Sequence, residues 1–410
     1  MFFKLLKNTV MKINLFTLGL VGKPSKSGED SLHPSEFIGF MPTFVVRDIN
    51  LWIEKFAKLG IYPFSTKEGV QRDVVMCSNN GGFVCQLVSA SGRNLLLKKV
   101  DKHGLYISRL TFFCKHQDTP KKALEIAKSV WPEIKNKTWT NCTIFSPYED
   151  MEYKFLCKDN NNFTNHFLIR SERKDDPGID IKIDHIVQNV DGETYNLLCD
   201  FFSRLGMQKT FDGAETVEFK TNAFSPANGI FDKLPFFAIN TGTVEGSQIK
   251  WGMREHGGSF VQHIALHSNN FIKTAKIMKK IGMPVMGTKE RPDMSDYYER
   301  FKSLFEETFP KDSFEEFVKV KGYFDADCPE ANKPFGLQQA FFETLDTLDG
   351  GDKVTFFFEI IERSASFLSE EQLTEIENLK GACAGFGKGN FHWLALALKL
   401  HMEEHGIITE

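Results

Sequence analysis

Short apolar runs with strand character recur along this chain. The run that opens each module is followed by a stretch with helical spacing, and in three of the four then by a glycine. Ile183-Asp184-His185-Ile186-Val187 reads as a strand, Tyr195 to Arg204 as an amphipathic helix, and Leu205-Gly206-Met207 as its stop. Val261-Gln262-His263-Ile264-Ala265-Leu266, Phe271 to Lys280 and Ile281-Gly282-Met283 repeat the device. Gly206 lies 21 residues past His185, and Gly282 lies 19 past His263. The N-terminal half carries copies without the histidine. Pro42 to Val46 precedes a helical stretch (Leu51 to Lys58) and Leu59-Gly60-Ile61; Ser108 to Phe113 precedes Pro120 to Ser129. Runs such as Gly82 to Val88 and Pro235 to Asn240 read as further strands. The pattern predicts an α+β chain of four β-α-β-β-β modules, paired so that their sheets curl into two half-barrels. The charged stretch Glu172 to Asp176, broken by Pro177-Gly178, reads as a linker. Residues 35–171 then form the N-terminal pair, 180–410 the C-terminal pair, and 1–34 a leader or tail.

The repeat makes a chemical prediction. Histidines at matching positions of two modules face one cavity. A third group comes from Phe356-Phe357-Phe358-Glu359-Ile360-Ile361, where an acid in an apolar strand is costly to bury unless paired or metal-bound. His185, His263 and Glu359 make a set of two histidines and one carboxylate with open positions, the arrangement of non-haem Fe(II) oxygenases; residue types alone also allow Zn or Mn. Glu362, beside Arg363, reads as a solvent-facing strand end. His256 reads as part of a turn and His267 as a strand end, neither a ligand.

Composition changes this picture little. The formal charge is −4, and no basic patch or nucleic-acid motif stands out, so nucleic acid is not an expected partner. No stretch reaches the roughly 20 apolar residues of a membrane span. The 40 phenylalanines read as core, with some lining an aromatic pocket. The 8 cysteines, none in a CxxC pair, read as reduced thiols of an intracellular protein. The first 28 residues hold five lysines and no acid, which suits a mitochondrial presequence. The apolar run Ile13 to Val21 suits a secretory signal instead, and a disordered tail on a cytoplasmic protein is a further reading. A homodimer through exposed apolar strands of the N-terminal half is also an expectation.

At these residues the chain resembles the 4-hydroxyphenylpyruvate dioxygenase family. The resemblance is carried by Ile183 to Val187, Ser247-Gln248-Ile249, Val261 to Leu266, Phe358-Glu359-Ile360-Ile361 and Gly385-Phe386-Gly387-Lys388-Gly389-Asn390-Phe391, in the family's order, over residues 180–400. The resemblance implies a vicinal oxygen chelate (glyoxalase-type) fold with a C-terminal lid helix. It implies Fe(II) on His185, His263 and Glu359. It implies a polar pocket of Ser225, Asn240, Gln248, Gln262 and Gln339, and an aromatic wall of Phe341, Phe357, Phe386 and Phe391. The implied substrates are 4-hydroxyphenylpyruvate, a small aromatic 2-oxo acid, and O2, and the product is homogentisate. Departures such as Ala238, where the family has proline, and Glu362, where it has glutamine, leave other outcomes open: a benzylic hydroxylase forming 4-hydroxymandelate, a non-enzymatic relative binding an aromatic acid or a partner, or a metal-dependent lyase or isomerase.

Overall fold

Alternating and fully apolar runs become strands, and the stretches between them become helices capped by short acidic or amide side chains. The computed structural model describes Leu32 and residues 36–64, 73–79, 81–157, 176–215, 218–225, 235–286, 294–326, 336–344 and 356–363. The first module is β1 (Phe37–Val46), α1 (Ile49–Lys58), β2 (Ile61–Pro63), β3 (Asp73–Ser78) and β4 (Val84–Ser89). After α2 (Asn94–His103) comes the second: β5 (Tyr106–Cys114), α3 (Thr119–Val130), β6 (Asn136–Trp139), β7 (Cys142–Tyr148) and β8 (Met151–Cys157). The third is β9 (Ile181–Asn189), α4 (Gly192–Arg204), β10 (Gln208–Glu215), β11 (Phe219–Ser225) and β12 (Phe236–Gly242). Following α5 (Gln248–His256), the fourth is β13 (Phe260–Ser268), α6 (Phe271–Lys280), α7 (Met294–Thr308), α8 (Phe314–Lys319), β14 (Tyr323–Ala326), β15 (Gly336–Glu343) and β16 (Phe357–Arg363).

Three of the four module helices start and stop alike. Asp48, Asp191 and Asn270 cap α1, α4 and α6 by accepting from free backbone N–H groups. Gly60, Gly206 and Gly282 follow the same helices at φ 77°, 77° and 82°, a left-handed conformation that disfavours a side chain.

Two eight-stranded mixed sheets result, with equivalent orders: β2-β3-β4-β1-β5-β8-β7-β6 and β10-β11-β12-β9-β13-β16-β15-β14. In each, the first strand of one module pairs antiparallel with the first strand of the next, and parallel with the last strand of its own. One Phe-rich core runs between the sheets. Phe40 and Phe112 meet Phe237 at ring-centroid distances of 5.1 and 5.3 Å, and Phe44 meets Phe358 at 6.0 Å. Each such ring removes a large apolar area from water, so the two sheets stabilise one another.

The repeat pattern does not predict α2 and α5, which link paired modules, nor α7 and α8, inserted into the fourth. No described helix is long and apolar enough to cross a membrane. The described cysteines, Cys77, Cys85, Cys114, Cys142, Cys157 and Cys199, are free thiols. The segment 1–31, most of the linker (residues 172–175), the lid helix, Phe386 and Phe391 lie outside the described residues.

Candidate metal centre

The two central strands of the C-terminal sheet bring the histidines together. Ala265 of β13 sits between His185 of β9 and Glu359 of β16, and His263 sits one same-face position along, between Val187 and Phe357. All three side chains are buried. His185 Nε2 and His263 Nε2 lie 3.3 and 3.4 Å from Glu359 Oε2, and one ligand atom from each of the three lies within 4.8 Å of the others. Such spacing fits a cation bound at about 2.0–2.2 Å by each donor.

The other face of each imidazole is already occupied. Asp184 Oδ1 contacts His185 Nδ1 at 2.8 Å, and Gln262 Oε1 contacts His263 Nδ1 at 3.1 Å. Each partner immediately precedes its histidine, where a regular strand would point it to the opposite face. Both stand at register shifts in the β9–β13 pairing: Ala265 pairs with His185 but Leu266 with Ile183, and Val261 pairs with Gln188 but His263 with Val187. These bulges re-aim Asp184 and Gln262 onto their neighbours. Outer contacts of this kind fix ring orientation and leave Nε2 for a cation.

Asp184 is itself held by Arg363. The guanidinium Nε donates to Oδ2 at 3.0 Å and a terminal nitrogen donates to Oδ1 at 2.8 Å, both groups buried. This fork is the geometry in which arginine binds carboxylate best. Gln339 Nε2 donates to Glu359 Oε1 at 2.7 Å, leaving Oε2 toward the histidines. Phe357 stacks on His263 at 4.7 Å, and Phe341 stands edge-on to Phe357 at 6.0 Å.

Charge follows from these contacts. Burial pushes the His185 imidazole down, but Glu359 and Asp184 together outweigh it and hold the group up at about 9. His263 moves the other way: burial lowers it, and its second partner is a neutral amide. Burial raises the Glu359 carboxyl, and the two imidazoles overcome this, holding it at about 2. Burial likewise raises Asp184, and Arg363 and His185 bring it well below the carboxylate range. Without a metal, the proton on His185 stands where a cation's charge would. Two neutral-capable imidazoles and an ionised carboxylate on one face are the donor set of a 2-His-1-carboxylate metal site.

The remaining residues singled out from sequence divide. Gln262, Gln339, Phe341 and Phe357 surround the triad, the two glutamines bonded to its ligands. Ser225 is buried at the end of β11. Asn240 on β12 accepts from Thr221 at 2.7 Å and donates to Asn189 at 3.3 Å. Gln248 opens α5 behind its Ser247 cap, and its buried Oε1 has no hydrogen-bond partner among the described residues.

Two expectations need correction. Glu362 does not face solvent: it is buried, accepting from Phe271 N at 3.1 Å and from Gln338 Nε2 at 2.7 Å, because β16 is covered on both faces. His256 is not in a turn: it ends α5, buried against Phe260 and His103. His267 lies on β13, outside the triad. Asp184 and Arg363 were not assigned a role from sequence; the signal was a charged residue beside a ligand histidine and another closing an apolar strand.

No protein-family model matches the chain. Among curated proteins, it is 31% identical over 152 residues to the 4-hydroxyphenylpyruvate dioxygenase of Hordeum vulgare, covering 37% of this chain and 32% of that one. It is 24% identical over 407 residues to an uncharacterized 4-hydroxyphenylpyruvate dioxygenase-like protein of Dictyostelium discoideum, covering 75% and 77%. Among solved structures, a xylose isomerase-like TIM barrel/4-hydroxyphenylpyruvate dioxygenase fusion protein superposes with TM-score 0.57 at 17% identity, over 88% of this chain and 52% of that one. A mutant of 4-hydroxymandelate synthase from Streptomyces coelicolor superposes with TM-score 0.54 at 16% identity, over 85% and 99%. The chain is a distant member of the 4-hydroxyphenylpyruvate dioxygenase family. Its paired modules have the family's vicinal oxygen chelate fold, and its triad is a buried 2-His-1-carboxylate metal site. The match spans about a third of the barley relative's length, so the family's full activity does not follow from it.

Proposed function

We propose that this chain is an Fe(II)-dependent dioxygenase that oxidatively decarboxylates and hydroxylates 4-hydroxyphenylpyruvate, giving homogentisate. The observation that carries this reading is the buried face of His185, His263 and Glu359, each oriented by a second side chain, in a member of this family. Iron held there supplies the redox chemistry and the positive charge that a 2-oxo acid and O2 require.

The chain's own residues do the rest. His185 would offer its neutral Nε2 to the cation, and Asp184 with Arg363 keeps the ring in place. Gln339 holds Glu359 by one oxygen, so the other remains a single, directed donor. Phe357 and Phe341 place apolar surface beside His263, excluding water and offering a wall to an aromatic ring. Gln248 Oε1, a buried acceptor with no hydrogen-bond partner among the described residues, suits a phenolic hydroxyl.

Purified protein supplied with Fe(II), a reductant, O2 and 4-hydroxyphenylpyruvate, analysed by mass spectrometry, tests the reading. Homogentisate is expected. 4-Hydroxymandelate would move hydroxylation to the benzylic carbon, and absence of any oxidised product would remove the dioxygenase reading.

A further inference from the structure

Phenylalanine outnumbers tyrosine 40 to 8 in this chain, and Phe rings dominate the core between the sheets. Two phenol hydroxyls nevertheless reach across that core from the N-terminal sheet. Tyr148 ends β7, and Tyr153 lies on β8 among the rings of Phe112, Phe145 and Phe201, at centroid distances of 5.7, 6.0 and 6.1 Å. Both donate to one atom of the C-terminal sheet: Gln188 Oε1 accepts from each at 2.8 Å. Burial holds both phenols above their ordinary range, so each stays a neutral donor.

Gln188 is fully buried, and Ile186, on the same face of β9, belongs to the apolar core. The Gln188 Nε2 has no hydrogen-bond partner among the described residues, so the amide is only half satisfied. A leucine of similar size would fill the position without that cost. What the glutamine adds is a tie between the two sheets at one chosen point of β9.

That point is the bulge beside the metal centre. On β13, Val261 pairs with Gln188 and His263 with Val187, so Gln262 is the extra residue. Its Oε1 meets His263 Nδ1 at 3.1 Å. Asp184, the matching partner of His185, is held by the Arg363 fork within its own sheet. Gln262 is neutral and takes its direction from the bulged backbone opposite Gln188. We propose that Tyr148, Tyr153 and Gln188 are positioning residues for the metal centre: through them the N-terminal sheet fixes the bulge, the bulge fixes Gln262, and Gln262 turns His263 Nε2 toward the cation. The N-terminal modules, which lack histidines at the matching positions, thereby contribute to the site of the C-terminal ones. The proposal rests on His263 as a metal ligand and not on which substrate is oxidised.

The variant Tyr148→Phe/Tyr153→Phe/Gln188→Leu removes both hydroxyls and the amide together, keeps the size of each side chain and orphans no polar atom of the three. Its circular dichroism and thermal unfolding should match the wild type. Co(II) binding to the full-length, chelator-treated protein, read by visible absorption and by competition with a chromogenic chelator, should weaken about tenfold, with a changed absorption band. In a Gln262→Ala background the same three substitutions should weaken Co(II) binding by less than about twofold, because they act through Gln262. Tyr148→Phe alone, at the most exposed of the three positions, should shift the Co(II) band in the same direction by a smaller amount, and it decides the matter if the triple variant does not fold. Wild-type Co(II) affinity and absorption in the folded triple variant, an equal loss with and without Gln262, or, failing a folded triple variant, an unshifted band in Tyr148→Phe would overturn the proposal. Failure of the dioxygenase reading alone would leave all of these Co(II) results standing.

Discussion

Asp184 and Gln262 hold their histidines in the same way, yet one brings a charge and the other does not. Against burial, Glu359 raises His185 most and Asp184 adds to it, holding it up at about 9, while burial and the neighbouring His185 lower His263, whose own partner is a neutral amide. Asp184→Asn keeps the size of the side chain but removes its charge from both His185 and Arg363. Metal affinity, read by competition with a chromogenic chelator, should fall about 10–100-fold. Thermal stability should fall as well, because the buried ion pair between Asp184 and Arg363 is broken, a loss of about 3–5 kcal/mol. Gln262→Ala should weaken metal binding without that stability loss, since no charge is orphaned. Equal destabilisation by the two variants would show that the Asp184–Arg363 pair does not act as described.

At the scale of elements, β16 carries two acids with opposite fates. Glu359 meets two imidazoles and stays ionised; Glu362 accepts from the first N–H of α6 and from Gln338, and burial raises its carboxyl. A folded-state pKa raised above the unfolded value means that the folded protein binds more protons here, so stability is lost as pH rises past the unfolded value near 4.5. Glu362→Gln should therefore raise the unfolding temperature at pH 8 more than at pH 4, its amide able to donate toward Gln338 Oε1, which has no hydrogen-bond partner among the described residues. Differential scanning calorimetry at the two values reads the sign. Element boundaries were largely legible: Phe271 to Lys280 is α6 to the residue, because cap, apolar period and glycine agree. The triad was legible because a repeat placed two histidines alike and Glu359 interrupted an apolar strand. The bulges at Asp184 and Gln262 were not, since nothing in the local sequence marks an extra residue. Arg363, 179 positions from its partner, could be joined to Asp184 only by the fold.

At the scale of the molecule, the two helices that link paired modules meet. His103 at the end of α2 stacks on His256 at the end of α5, centroids 4.0 Å apart. Burial lowers His103 to about 4, helped by Lys102 and Lys99 and opposed by Asp150; burial, His103 and both lysines lower His256 to about 2. The unfolded chain binds more protons at these sites below its ordinary histidine value near 6.5, so stability is present above that pH and is lost as pH falls toward 4. His103→Phe keeps the stack and removes one titration; urea unfolding should show a shallower loss between pH 6.5 and 4, and an unchanged slope would contradict the assignment. In the proposed function, His185, His263 and Glu359 make one working metal site for an aromatic 2-oxo acid. Oxygen-electrode measurement on the iron-loaded protein with 4-hydroxyphenylpyruvate tests it most directly. One O2 consumed per substrate, abolished by Glu359→Ala, is expected; oxygen uptake that is absent in the wild type, or that survives in Glu359→Ala, would contradict that function.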